Sequence, residues 1–414
     1  MKIEKKLWII LFAFGIFAIC FSGWIFRQST AREKLFWDNT IRCETKELKE
    51  GEIKSENIAL PEDFDVPKSI LFKTTHTIAE VWLDGEKIYE YGNEADAPGF
   101  MKTPGSCWHI VDIPGDSSGK NLEVRIIPVY EGYYGNEVSL VYGTRGDCIL
   151  KILTDCLGIL VISCGILFAA VICILLYCGA ARRKRSDKTE AKIEIFLNLG
   201  FFSLLVAVWT LVQCGFLQFL IPDGRTLYFV EYFSLFLFPV PFNFLLYDIC
   251  KSRYHKGALI FSILYLTNMA VDVLLQCTGI IDMSRLLSVI HVIMVANVVY
   301  TVVIILYEAG KKENDVAQKF RYPMCVVMGF GMAEMIFYYL RRFEQISILL
   351  SMGTMLFIIM LIWIQVSQYY DQYIQKQKVI YLQKIANMDM LTEAMNRNAY
   401  EDMVKYLDEG EIKL

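Results

Sequence analysis

The sequence predicts a multi-domain membrane protein. Its parts are an α-helical transmembrane bundle of one plus seven helices, an extracytoplasmic β-sandwich and a cytoplasmic helix. Three observations carry that class. Apolar residues make up 55% of the 414 positions and gather in long blocks. Residues 28–148 contain no such block; there, short β-branched and aromatic runs alternate with Gly, Pro, Asp and Asn. Basic residues concentrate in every second connection between blocks.

The first element is an N-terminal anchor, residues 1–27. Residues 7–26 (LWIILFAFGIFAICFSGWIF) are uncharged and long enough to span a bilayer at about 1.5 Å per residue. The run is longer and bulkier than a signal-peptide core, and Arg27 follows it. An uncleaved anchor is expected.

Seven more blocks follow within 149–366, at about 150–178, 194–219, 227–249, 257–277, 286–307, 322–340 and 346–366. Lys2–Lys6, Arg182–Lys192, Lys251–Lys256 and Lys311–Arg321 are basic connections. The short alternate ones hold only Arg225, Arg285, Arg341 and Arg342. Short Lys- and Arg-rich loops stay in the cytoplasm. Both termini are therefore expected inside and residues 28–148 outside. Pro239 and Pro241 fall mid-block, where proline bends a helix.

The outer region reads as strands: Ser69–Thr75, Ile78–Leu83, Lys87–Tyr91, Trp108–Ile113, Leu122–Ile127 and Val138–Tyr142. Asp84-Gly85 is a hairpin turn between the second and third. Short strands over this length predict a β-sandwich. Cys43, Cys107 and Cys148 lie here, enough for one disulfide whose pairing stays open. The other cysteines lie in or beside the apolar blocks and read as small packing residues. A net charge of -4 with no basic patch predicts no nucleic-acid partner. Four scattered histidines and no CxxC spacing predict no metal site.

The runs VWLDGEKIYEYG, WHIVDIP and NLEVRIIPVYEG resemble jelly-roll domains of the galactose-binding type. They also resemble the outer domains of seven-transmembrane receptors with diverse intracellular signalling modules. That resemblance implies a small extracytoplasmic ligand, carbohydrate among the classes. Trp82, Tyr91, Trp108, Tyr133 and Tyr134 could stack on a sugar ring. The alternative for such aromatics is to fill the sandwich core.

Ionisable groups within spans are costly and are candidate functional residues. Glu231, Asp272, His291 and Glu334 all fall roughly 6–9 Å below the outer boundary of their blocks at 1.5 Å per residue. They are a candidate ligand or relay cluster, with Trp82 and Trp108 as ectodomain candidates. A transporter or a membrane-embedded enzyme could use the same cluster, and that is the alternative reading.

Residues 367–388 predict a helix leaving the last span. Ile374, Lys378, Tyr381, Ile385 and Met388 recur at alternating steps of four and three, as along a dimer seam. Residues 389–414 open with Asp389, Leu391, Thr392, Asn396, Arg397 and Tyr400. This D-x-L-T-x-x-x-N-R-x-x-aromatic run resembles the start of the GGDEF domain of diguanylate cyclases. Glu393 stands where that family most often has Gly, and Tyr400 where it most often has Phe. The resemblance implies a bacterial cell-membrane protein acting as a homodimer. It also implies a full-length domain that joins two GTP molecules into cyclic di-GMP with magnesium. The matched positions are structural in the family, and its metal-binding aspartates and GG[DE]EF signature come later in the domain. No catalytic residue is carried over, no cofactor is expected in this chain, and the chain is not expected to perform the reaction unaided.

Overall fold

The computed structural model describes residues 40–43, 53–60, 68–93, 97–130, 138–184, 194–311, 314–340 and 347–387, with positions 400, 401 and 404. The expected anchor at 1–27 and the Asp389–Arg397 motif lie outside the described residues. The chain divides into two compact units, Met1–Ile358 and Ile359–Leu414.

The described residues of the first unit include eight strands: β1 (Thr40–Cys43), β2 (Lys54–Ala59), β3 (Lys68–Thr75), β4 (Thr77–Leu83), β5 (Glu86–Tyr91), β6 (Ser106–Ile113), β7 (Asn121–Pro128) and β8 (Val138–Gly143). They form two antiparallel four-stranded sheets, ordered β1-β8-β3-β6 and β2-β7-β4-β5. Period-two burial explains why. In β6 every second residue is buried, and Phe72, Val111 and Leu140 of one sheet meet Val81, Val124 and Ile126 of the other in a single core. The β4–β5 hairpin turns at Asp84 (φ 47°) and Gly85 (φ 86°), the two positive-φ positions that a two-residue primed turn requires.

Among the described residues, eight α-helices follow: α1 (Arg145–Lys184), α2 (Glu194–Gln213), α3 (Gly224–Leu237), α4 (Pro239–Ile249), α5 (His255–Cys277), α6 (Leu287–Gly310), α7 (Asp315–Leu340) and α8 (Ile348–Asn387). Among the described residues, six segments are long and apolar enough to cross a membrane: Arg145–Gly179, Glu194–Gln213, Gly224–Ile249, His255–Cys277, Met283–Gly310 and Asp315–Leu340. The protein is a multi-pass membrane protein on this evidence. The seventh expected block, 346–366, gives the shorter apolar stretch Ile348–Ile364. The block with two prolines is two helices meeting at Phe238. Pro239 sits at the start of α4, where its missing N–H would have no intrahelical partner in any case. Phe238 N–H still donates to Ser234 O (3.0 Å), so that bond is kept where the two helices meet.

Strand β8 passes into α1 with one residue between them, Thr144. Thr144 Oγ1 accepts from Asp147 N (3.2 Å), while Asp147 Oδ2 accepts from Thr144 N (2.9 Å) and Thr144 Oγ1 (2.7 Å). This reciprocal cap satisfies the donors left open at a helix start. Arg145 then reaches Asp112 of β6 (2.6 Å), and Asp112 also accepts from Ser69 of β3 (2.6 Å). In the second unit the described residues are the continuation of α8 to Asn387 and the helical positions Tyr400, Glu401 and Val404.

Candidate functional site

The β-domain and the helices meet over a buried polar junction. Its centre is Asp282, in the connection between α5 and α6, 6% exposed. An acidic side chain so deeply buried needs donors, because desolvating a carboxylate is expensive. Asp282 Oδ1 accepts from Gln276 Nε2 (2.6 Å). Oδ2 accepts from the Tyr130 hydroxyl and from the backbone N–H groups of Lys102 and Thr103 (each 3.3 Å). Tyr130, Lys102 and Thr103 belong to the β-domain; Gln276 ends α5.

Gln276 is fully buried and makes every bond its amide allows. It donates to Asp282 and to Phe100 O (2.7 Å), and it accepts from Tyr228 Oη (3.1 Å) and Met283 N (3.0 Å). Tyr228 of α3 in turn accepts from Ser284 N (3.0 Å). Two helices, the α5–α6 connection and two β-domain segments thus share one network. Buried networks with every member satisfied are rigid, and each member is costly to remove.

His76 extends it on the β-domain side. It sits at the β3–β4 corner with φ 53°, held by its N–H to Gly105 O (3.0 Å) and by Val129 N to its own carbonyl (3.4 Å). Its Nδ1 pairs with Thr103 Oγ1 (2.8 Å), and its ring lies edge-on to Tyr228 at 5.8 Å. Burial pushes its pKa down to about 4, with the Asp282 carboxylate working the other way. His76 is therefore neutral near pH 7. Burial also raises the Tyr130 phenol above its ordinary value, and the Asp282 hydrogen bond adds to it. Close approach sets the remaining shape: a Cβ on Gly279 (φ +69°) would stand 2.9 Å from Gly99 O.

A second contact lies beside it. The edge strand β6 exposes the backbone of Trp108, and Gln218 in the turn Phe216–Phe219 closes it as a neighbouring strand would. Its Oε1 accepts from Trp108 N (2.8 Å), and its Nε2 donates to Trp108 O. The Trp108 ring lies over Gly215, where a Cβ would come within 2.8 Å of it.

The chain matches no family model, no curated protein and no solved structure. The site must speak through its own chemistry.

The four acids and bases read as a cluster have separate partners. Glu231 Oε1 accepts from Gln213 (2.7 Å), and Asp272 accepts from Asn268 one turn away (2.6 Å). His291 pairs with Tyr339 Oη (2.9 Å). Glu334 accepts from Ser347 N (2.6 Å) and Leu350 N (2.9 Å), capping the start of α8. Among the described residues no hydrogen bond joins any two of them.

Trp82 faces outward from β4. Its Nε1 donates to Glu80 (3.0 Å), and the Arg125 guanidinium and Lys87 ammonium stand 4.4 and 5.6 Å from its ring centre. Tyr91 turns inward, donating to Pro104 O (2.6 Å). Tyr133 and Tyr134 are outside the described residues, as is the Cys43 side chain. Cys107 lies beside His109 (3.7 Å) and Cys148 beside Ser69 O (3.6 Å), so the two are not bonded to each other.

Sequence reasoning passed over Asp282, Gln276, Tyr130 and His76. Asp282 falls just outside an apolar block, where an acid is unremarkable. Its partners are up to 180 residues away, and no local spacing joins them.

Proposed function

We propose that the protein is a membrane signal receptor, the sensory and transmembrane part of a diguanylate cyclase system. The β-domain faces outward and takes a small ligand, with carbohydrate the first class to try. The helices, an N-terminal anchor plus a seven-helix bundle, relay its state. The helix over 367–388 passes it, in a homodimer, to a GGDEF output that makes cyclic di-GMP from GTP with magnesium. The strand order β1-β8-β3-β6 with β2-β7-β4-β5 supports a jelly-roll reading of the β-domain, since it is the order two interleaved Greek keys produce.

One observation carries the receptor reading: the Asp282 junction. A domain that only needed anchoring could hang from a tether. Here its backbone at Lys102 and Thr103 and its Tyr130 are wired into the α5–α6 connection through buried bonds. A relay needs an element whose arrangement both domains bias. Glu231, Asp272, His291 and Glu334 each bond to a different partner, and that favours the receptor reading over a transporter or membrane-embedded enzyme built on a shared cluster.

The test is a fusion. An intact cyclase domain is joined in frame at Asp389, and cyclic di-GMP is measured in membrane vesicles with a panel of mono- and disaccharides. The receptor reading expects Asp282→Asn, in folded and inserted protein, to change the output, and at least one saccharide to change it in the wild type alone. Output indifferent to Asp282→Asn and to the whole panel would sink it.

A further inference from the structure

Two cysteines outside the junction are placed as a pair. Cys156 lies in the fourth turn of α1, and Cys214 is the residue after α2. They are 58 positions apart, one within α1 and one just past the end of α2, so their meeting is tertiary. The Cys156 thiol donates to the Cys214 carbonyl, and both cysteines are free thiols in this structure. Cys214 Sγ also contacts Leu211 O (3.2 Å). Each is 5% exposed, and both belong to the apolar cluster that carries the Trp108 ring. Cys107 and Cys148, by contrast, each have a non-cysteine neighbour.

We propose that Cys156 and Cys214 are joined by a disulfide in the mature protein, fastening α1 to the turn that seats Trp108. The inference rests on the outward placement of the β-domain, because that places the pair at the oxidising end of the bundle. The chemistry is thiol–disulfide exchange with a disulfide oxidant, protein or small molecule. One cysteine thiolate attacks the oxidant and releases its first thiol. The second then attacks the mixed disulfide and releases the other. Two cysteine protons and two electrons end in two oxidant thiols, and one S–S bond forms. The closed loop contains all of α2 and the α1–α2 connection, so the bond restricts the unfolded chain strongly. In the folded chain it fixes Gly215 and Gln218, the two residues under Trp108.

The experiment uses the full chain, made in bacterial cells with an oxidising envelope and lysed into N-ethylmaleimide without reductant. Peptide mass mapping is expected to find the Cys156 and Cys214 peptides linked, short of two hydrogens, and separating on reduction. Replacing Cys214→Ser is expected to leave Cys156 alkylated without reduction. Alkylation of both cysteines in unreduced wild type overturns the proposal. Orientation is read separately from Asp116→Cys, whose parent side chain is 82% exposed on the β-domain. If a membrane-impermeant maleimide labels it in intact cells while Cys156 and Cys214 are free, the disulfide fails and the orientation stands. If it stays unlabelled while the linked peptide is found, the disulfide stands and the orientation fails.

Discussion

The Asp282 junction and the acids within the helices solve one problem in opposite ways. Both bury a carboxylate that must be given donors. Asp272 finds its donor on its own helix, one turn away. Glu334 takes its donors from the next helix start, and Glu231 from a neighbouring glutamine. Asp282 collects its donors from β-domain residues 130 and 102–103 and from the end of α5. An acid satisfied nearby shapes one helix or one corner. An acid satisfied by two domains makes the position of each depend on the other. Connectivity, rather than depth in the membrane, separates the two kinds.

The largest break in that comparison is Asp282→Ala. It leaves buried neutral donors from both domains unpaired, at about 1–3 kcal/mol for each donor that finds no other partner. Thermal unfolding in nanodiscs should show it, and hydrogen exchange should rise together at Met101–Gly105 and at the α5–α6 connection. A rise confined to one side would mean that the network does not join the domains.

Acid comes next. His109 is buried between the sheets, its Nε2 on Thr74 Oγ1 (2.7 Å), its Nδ1 near Tyr89 Oη (2.9 Å), with Tyr91 and Cys107 alongside. Burial pushes its pKa down to about 3, and that of His76 to about 4. Both are depressed in the folded state, so the unfolded chain binds more protons at low pH. Their contribution is whole above the unfolded value near 6.5 and is lost as pH falls toward 4 and then 3. The slope is about 1.4 kcal/mol per pH unit for each histidine. A denaturation series from pH 7 to pH 4 should show His109→Gln flattening the loss. A wild type equally stable at both ends would refute the neutral-histidine account.

Gly215→Val sharpens the contrast at the second contact. The residue has φ +76°, and its new side chain would strike the Trp108 ring. The expected cost is about 1–3 kcal/mol, with a shift in tryptophan fluorescence. The smallest effect belongs to Asp272→Asn, within about 1 kcal/mol, because its partner is on the same helix. If Asp272→Asn loosened the β-domain as Asp282→Ala does, the distinction drawn here would collapse.

Much of the fold was legible in the sequence because its causes are local. The six strands from Ser69 to Tyr142 appear within one or two residues of their expected bounds, since alternation and the Asp84-Gly85 turn act over short range. The apolar blocks likewise give the helices, with the Pro239 block dividing at Phe238. Strands β1 and β2 were missed, being short and weakly patterned. The pairing order was also out of reach, because β3 lies between β6 and β8 for reasons that only the assembled core supplies. For the site, depth in the membrane singled out Glu231, Asp272, His291 and Glu334 as a candidate ligand or relay cluster, but depth says nothing about the separate partner each one has. Asp282 carries no local mark at all.

The single residue between β8 and α1 has a consequence for engineering. A domain joined through a flexible linker can be cut out and replaced at the linker. Here the last strand ends at Gly143 and the first helix starts at Arg145, with Thr144 and Asp147 capping the seam and Arg145 reaching back to Asp112. No cut point exists on this side. A graft that exchanged residues 40–143 alone would discard the strand residues that α1 leans on and the segments that hold Gln218 and Asp282. The smallest portable piece is the β-domain together with the head of α1, the turn Phe216–Phe219 and the α5–α6 connection. Chimeras should be drawn along that outline.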